Sequence, residues 1–152
     1  MLLTLALVSL TARGEERTLL THRVISAGEA SAQPAARHIL RLLAAGDIEA
    51  AAQLSNEPAR RREVLADYRA RVGEEEFRRV FDQYLAPGNQ VVTELAVGAH
   101  RLIIWDLADA GHRMAGQYYV EADGRFLMDD RPSAERQALR RALEQYRKKN
   151  RR

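Results

Sequence analysis

Four side chains in the second half of the sequence have types suited to acid–base chemistry: Asp106, His112, Tyr118 and Tyr119. Asp106 closes the apolar run "RLIIWDL". A carboxylate desolvated among apolar side chains can have its pKa raised until it serves as a general base. A tyrosine hydroxyl could then donate to the developing oxyanion, with His112 or Asp129 assisting. This set predicts the candidate site of an isomerase or lyase.

Asp106 also has a plainer interpretation as a surface ion pair. If the hairpin after Leu107 has four loop residues, Arg113 lies opposite Asp106, and an arginine neighbour lowers the pKa of a carboxyl group. The same alignment puts Arg125 opposite Glu121, and such cross-strand pairs stabilise a sheet modestly. No residue is therefore assigned firmly to catalysis.

Several aromatic and apolar residues are candidates for lining a small apolar pocket. Amphipathic rings are common where a pocket meets polar groups, but the same residues lie at the spacing of an ordinary core. The candidate ligand-binding residues are Trp105, Tyr118, Met114 and Phe81.

No motif predicts a metal or a cofactor. The chain contains no cysteine, which excludes thiolate catalysis and cysteine–zinc sites. The histidines His22, His38, His100 and His112 do not form an i, i+4 pair on a helix. No glycine-rich phosphate-binding loop is present.

Length and charge favour one globular domain without a nucleic-acid surface. The 152 residues are 46% hydrophobic and 30% charged, which is ordinary for a domain with a single core. The formal net charge is +3, but the terminal "RKKNRR" alone carries five positive charges, so the rest of the chain is slightly negative. The remainder of the chain lacks the broad basic face that nucleic-acid binding requires.

The first residues resemble a secretory signal peptide. "MLLTLALVSL" is apolar but too short to span a bilayer, and Ala12 and Gly14 are the small residues of a cleavage site. This predicts a periplasmic or secreted bacterial protein without stable membrane insertion. The alternative is a cytoplasmic protein in which this segment is structural. The predicted organisation is a signal peptide (1–14), an extended segment (15–35), one domain (36–147) and a basic tail (148–152).

Apolar spacing then predicts helices followed by strands and a last helix. Helices are expected over Pro34–Ala45 and Ile48–Leu54, from Pro58, after Gly73 and from an N-cap at Ser133. Period-two alternation predicts four strands in a meander, near Gln90–Val97, Arg101–Leu107, Arg113–Glu121 and Arg125–Asp129. The order indicates an α+β fold: N-terminal helices on a curved four-stranded antiparallel sheet, with a C-terminal helix.

Both faces of this sheet carry many apolar residues. With the register above, Trp105, Met114 and Tyr118 share one face, and Ile104, Gln117 and Tyr119 share the other. A large bare apolar face is uncommon on a monomer. We therefore expect the second face to form a homodimer or to be covered by the N-terminal segment.

Two stretches resemble the nuclear transport factor 2-like superfamily, a cone-shaped α+β fold. They are "HILRLLAAGDIEAAAQLSN" and "GQYYVEADGRFLMDD", and the likeness runs from about Pro34 to Asp130. A helix of about fifteen residues after the last strand departs from the pattern. The resemblance implies a pocket between sheet and helices, but no particular reaction. The sequence thus predicts an exported non-catalytic domain that binds a protein partner or a small apolar ligand, with the acid–base enzyme as alternative.

Overall fold

A central antiparallel sheet separates two layers of helix. The computed structural model describes residues 20–151. Its elements are β1 (Arg23–Val24), α1 (Gln33–Ala44), α2 (Ile48–Ala52), α3 (Pro58–Val72), α4 (Glu74–Asp82), β2 (Gln90–Val97), β3 (His100–Leu107), β4 (Arg113–Ala122), β5 (Arg125–Met128) and α5 (Ala134–Lys149). The strands lie in the order β1-β2-β3-β4-β5, so the predicted α+β class and meander are confirmed.

The helix boundaries follow from capping chemistry that is visible in the sequence. Asp47 caps α2, since its carboxylate accepts a hydrogen bond from the backbone N–H of Ala50. Ser133 caps α5 in the same way, through the N–H of Arg136. Helix α5 continues to Lys149, and therefore includes residues that we expected in a basic tail.

The sheet has five strands rather than the four predicted. The additional strand, β1, is only two residues long and pairs with β2, where Arg23 lies opposite Ala96. It falls within residues 15–35, which we predicted to be extended but did not assign to the sheet. Two residues are too few to produce an alternating pattern.

The register between β3 and β4 differs by one residue from the prediction. Asp106 lies opposite Met114 rather than Arg113. The connecting loop contains five residues, 108–112, and begins with a 3-10 turn that leads into a left-handed Gly111. A loop one residue longer than expected moves every partner by one, so the predicted cross-strand pair of Asp106 is wrong.

The hairpin between β4 and β5 is also shifted by one residue. Glu121 lies opposite Phe126 rather than Arg125. The two loop residues, Asp123 and Gly124, both have positive φ, at 51° and 77°. This is the tight type I′ arrangement that an Asp-Gly pair favours, whereas we expected a three-residue turn.

Together the two shifts reverse the face of the sheet to which each β4 side chain points, while the side chains of β3 and β5 keep their predicted faces. The side of β4 that faces α1, α3 and α4 carries Ala115, Gln117 and Tyr119, beside Trp105. Its other side carries Met114, Gly116 and Tyr118. A bulge in β2 likewise moves Val92 to the second face.

Helix α5 covers the second face of the sheet. Its buried stripe packs on residues of β2 and β3, including Leu95, Leu102 and Ile104, while Leu20 packs at the margin of this cluster. This face is covered, as expected, but the cover is mainly α5 rather than a second copy or the N-terminal segment, from which only Leu20 contributes among the described residues. Dimerisation stays a prediction, now without this reason for it.

Close approach of α5 to the sheet depends on Gly116. A Cβ atom at this position would lie 2.5 Å from Cδ2 of Leu143 and 3.0 Å from Cδ1 of Leu102. The absence of a side chain therefore lets the helix rest directly on β4.

The predicted signal peptide, residues 1–14, lies outside the described residues. Over residues 20–151, no helix is both long and apolar enough to cross a membrane.

Candidate functional site

A cavity of about 180 Å³ lies between β4 and the helices of the first layer. Its apolar wall comes from α1, α3, α4 and β5. The side chains that these elements direct towards β4 leave this volume unfilled. The apolar residues in this wall are Ile39, Leu40, Leu43, Leu65, Phe81 and Met128. We call it the inner cavity.

The inner cavity extends around an open edge of the sheet. Strand β5 pairs only with Tyr119–Ala122, so it leaves the first part of β4 as an edge. The lining includes Gln117 from one side of β4 and Gly116 and Tyr118 from the other. The inner cavity is therefore lined from both sides of this open edge of the sheet.

A second cavity of about 340 Å³ lies on the α5 side of this edge. It shares Tyr118 and Arg136 with the inner cavity. Its remaining lining is Pro132, Ser133, Gln137 and Arg140. We call it the outer cavity, and the two together the edge cleft.

Gln117 supplies a polar group to the inner cavity. Its Oε1 accepts hydrogen bonds from Nε1 of Trp105 at 2.9 Å and from the hydroxyl of Tyr119 at 3.3 Å. Both donors are buried, and burial raises the pKa of Tyr119 well above its ordinary value. Because Oε1 serves two protein donors, the Nε2 amide remains as the group that Gln117 can offer to a ligand.

The carboxylate of Asp130 is held by protein donors. Arg61 binds it through both Nε and Nη2, and the hydroxyl of Ser55 donates to Oδ2 at 2.5 Å. Burial would raise the pKa of Asp130, but these hydrogen bonds and the charges of Arg61 and Arg136 outweigh it and lower the pKa.

Asp129 is also fully engaged. Its Oδ2 lies 2.8 Å from Nδ1 of His100, and its Oδ1 accepts a 2.9 Å hydrogen bond from the amide of Asn56. The backbone N–H of Asp129 donates to the carbonyl of Tyr118. These bonds join β5, β3 and the α2–α3 loop, and they account for the burial of this carboxylate.

Arg136 has an unsatisfied donor at the junction of the two cavities. Its Nε is buried and has no hydrogen-bond partner among the described residues. Its guanidinium carbon lies 5.3 Å from the centre of the Tyr118 ring, which is a cation–π contact. Burial raises the pKa of Tyr118, while the nearby charges of Arg136, Arg140 and Arg147 act in the opposite direction.

The residues proposed for acid–base chemistry are dispersed. Asp106 and His112 do meet, at 3.1 Å, but on the exposed β3–β4 hairpin. Tyr119 lies opposite Arg101, five residues from Asp106 along β3, or roughly 16 Å at 3.3 Å per residue. Tyr118 is on the other face of β4 from Tyr119. Asp129 pairs with His100, not with His112.

The residues proposed for ligand binding divide into three places. Phe81 and Tyr118 both line the inner cavity. Trp105 is completely buried, between Tyr84 and the guanidinium of Arg37, and reaches the cavity only through Gln117. Met114 lies on the α5 side, at a separate cavity of about 360 Å³.

Three polar residues of the edge cleft were not found from the sequence. Gln117 was assigned to the wrong side of β4 by the register shift. Arg61 lies within a run of three arginines that resembles a solvated face, and Arg136 is on the first turn of an ordinary amphipathic helix. Nothing local distinguishes either arginine from its exposed neighbours. In residues 20–151, no group of three or more His, Asp or Glu side chains is placed to hold a metal ion.

The fold and the cleft define this chain as an α+β domain in which the open edge of a doubly covered sheet borders two adjacent cavities that share Tyr118 and Arg136. Neither a family model, nor a curated protein, nor a solved structure matches the chain. The likeness to the nuclear transport factor 2-like superfamily therefore stays a prediction.

Proposed function

We propose that this protein is a non-catalytic binding domain that takes the apolar body of a small ligand into the inner cavity. The observation that carries the proposal is the volume of about 180 Å³, in whose lining six apolar side chains lie beside the amide of Gln117 and the polar side chains at the edge of the sheet. Cavities of roughly 150 Å³ with an apolar lining admit benzene. The inner cavity therefore suits one aromatic ring or a short aliphatic chain.

The lining supports binding better than acid–base catalysis. The carboxylates closest to the cavity, Asp129 and Asp130, already accept hydrogen bonds from His100, Asn56, Arg61 and Ser55. A general base needs a free carboxylate within hydrogen-bond reach of the substrate. Asp106, the residue first considered for that role, lies on the hairpin with His112.

Benzene provides a direct test, because it has an apolar body and no head group. Methyl NMR spectra of the protein should show saturable shifts on adding benzene, concentrated in Ile39, Leu40, Leu43 and Leu65. Leu65→Phe adds volume to the wall and should abolish these shifts. Val64→Phe is the matched control, since Val64 is the neighbouring residue of α3 and is half exposed.

Both variants must first show cooperative unfolding, so that a lost response reflects the cavity and not the fold. Shifts spread evenly over all methyl groups, or an equal response from the two folded variants, would overturn the proposal.

A further inference from the structure

We infer that the ligand is an amphipathic monocarboxylate, with its carboxylate held in the outer cavity by Arg136 and Arg140. The inference rests on the proposed function, which places the apolar body of the ligand in the inner cavity. It adds the chemical class of the head group and the residues that recognise it.

The first support is the unsatisfied Nε of Arg136. A buried donor without an acceptor is costly, and native proteins leave few of them. Arg136 lines both cavities, so an acceptor at their junction would be within the cleft. A guanidinium binds a carboxylate through two parallel hydrogen bonds, which would satisfy Nε together with one Nη.

The second support is a neighbouring charge that is also unpaired. Arg140 follows Arg136 by one helical turn and lines the same outer cavity. It forms no ion pair with any residue that the structure describes. Like charges at i and i+4 repel each other, and an anion placed beside both would remove this repulsion.

The acids around the cleft do not take this role. Asp130 is near enough to feel the charge of Arg136, but its oxygens are bound by Arg61 and Ser55. Asp129 is bound by His100 and Asn56. Glu135, on the first turn of α5, approaches His100 at 4.0 Å. Within residues 20–151, neither Arg136 nor Arg140 therefore forms a salt bridge with a carboxylate.

Asp130 also limits the charge of the head group. A buried carboxylate next to Arg136 would repel a doubly charged phosphate more strongly than a singly charged carboxylate. The size of the inner cavity limits the body to about one ring. Benzoate therefore represents the expected class, with benzyl alcohol as its uncharged counterpart and phenyl phosphate as the dianionic one.

The test compares these three probes by calorimetry or by methyl NMR on the full chain at low ionic strength. Benzoate should bind about tenfold more tightly than benzyl alcohol, the scale of one charge-assisted contact, and more tightly than phenyl phosphate. Arg136→Gln should reduce the benzoate preference, measured as the ratio of the benzoate affinity to the benzyl alcohol affinity of the same variant, to near unity. Arg140→Gln should reduce it in part, and the exposed Arg141→Gln should leave it unchanged.

The outcomes separate the two proposals. If benzene and benzyl alcohol bind but benzoate binds no better, the carboxylate inference fails while the proposed function stands. If none of the probes binds, both fail. An equal loss of benzoate preference in Arg136→Gln and Arg141→Gln would show a general charge effect and overturn the assigned site. Tighter binding of phenyl phosphate than of benzoate would overturn the inference that the head group carries a single charge.

Discussion

The indole Nε1 of Trp105 and the side-chain oxygen of Gln117 are joined by a 2.9 Å hydrogen bond that connects the buried core to the wall of the inner cavity. The hydroxyl of Tyr119 converges on the same oxygen. The side-chain oxygen of Gln117 therefore satisfies two buried donors. Its contribution to stability can be measured by unfolding, independently of any contribution to ligand binding.

Replacing Gln117 by leucine should destabilise the protein. The change removes the acceptor of both Trp105 and Tyr119, and an unsatisfied buried donor costs about 1–3 kcal/mol. Chemical denaturation followed by far-ultraviolet circular dichroism measures the loss. Gln145→Leu, at an exposed position on α5, should change the free energy of unfolding by less than about 0.5 kcal/mol. Equal effects of the two substitutions would contradict the contact.

Replacing Asp130 by asparagine should remove a pH-dependent part of the stability. The pKa of Asp130 is lowered in the folded state, so its contribution is complete above the unfolded value of about 3.9 and is lost as pH falls through the folded value. At pH 7 we expect Asp130→Asn to cost about 3 kcal/mol, since it breaks a largely buried pair.

The measurement for Asp130 is the free energy of unfolding of wild type and variant from pH 7 downwards. The difference between them should stay constant to about pH 4 and shrink below it. Asp67→Asn, an exposed position on α3, should follow the wild type throughout. A difference that grows on acidification would have the wrong sign.

Gly116→Ala should destabilise the contact between α5 and the sheet. The new methyl group would lie 2.5 Å from the Leu143 side chain, and overpacking of this kind costs about 1–3 kcal/mol. Thermal unfolding would report the loss. The double variant Gly116→Ala with Leu143→Ala should lose less than the sum of the single changes, because the smaller side chain relieves the clash. Simple additivity would argue against the contact.

Asp106→Asn should have little effect. Asp106 lies 3.1 Å from His112, whose side chain is 72% exposed, and polar contacts at such exposed positions contribute under about 1 kcal/mol. Binding of benzene to the inner cavity should be unchanged, because the hairpin lies away from it. A large loss of stability, or of benzene binding, would return Asp106 to consideration as a site residue.

Helices and strands could be predicted because their signals are local. Ser133 and Asp47 are capping residues at the positions where helices begin, and the apolar spacing of α4 predicts the side that faces the core. The bounds of β2 were predicted to the residue, because alternation and flanking turn residues are both present in the sequence.

The register of β4 could not be predicted from the same signals. It depends on left-handed backbone at Gly111 and His112 in one loop, and at Asp123 and Gly124 in the other. Opposite-charge pairs favoured a different alignment, but such pairs contribute only a few tenths of a kcal/mol, roughly. Turn geometry and the burial of Tyr119 outweigh that preference. Because the predicted register was wrong, Gln117 was predicted on the wrong face of the sheet.

The edge cleft depends on contacts between distant parts of the chain. Strand β5 stops at Met128, where its backbone pairs with Leu54 and Asn56 of the α2–α3 loop, and the early end of β5 opens the edge of β4. Arg61 and Arg136 are brought to this edge from helices far apart in sequence. No local pattern records such a meeting.

The position of α5 after the sheet in the chain has a consequence for how the protein is made. During synthesis the strands leave the ribosome first, and α5 follows after a delay on the order of seconds at about 5–20 residues per second. Over that interval Leu102 and Ile104 have no cover from this helix. A nascent chain with slowed translation before Ala134 would accordingly depend more on chaperones than the finished protein does.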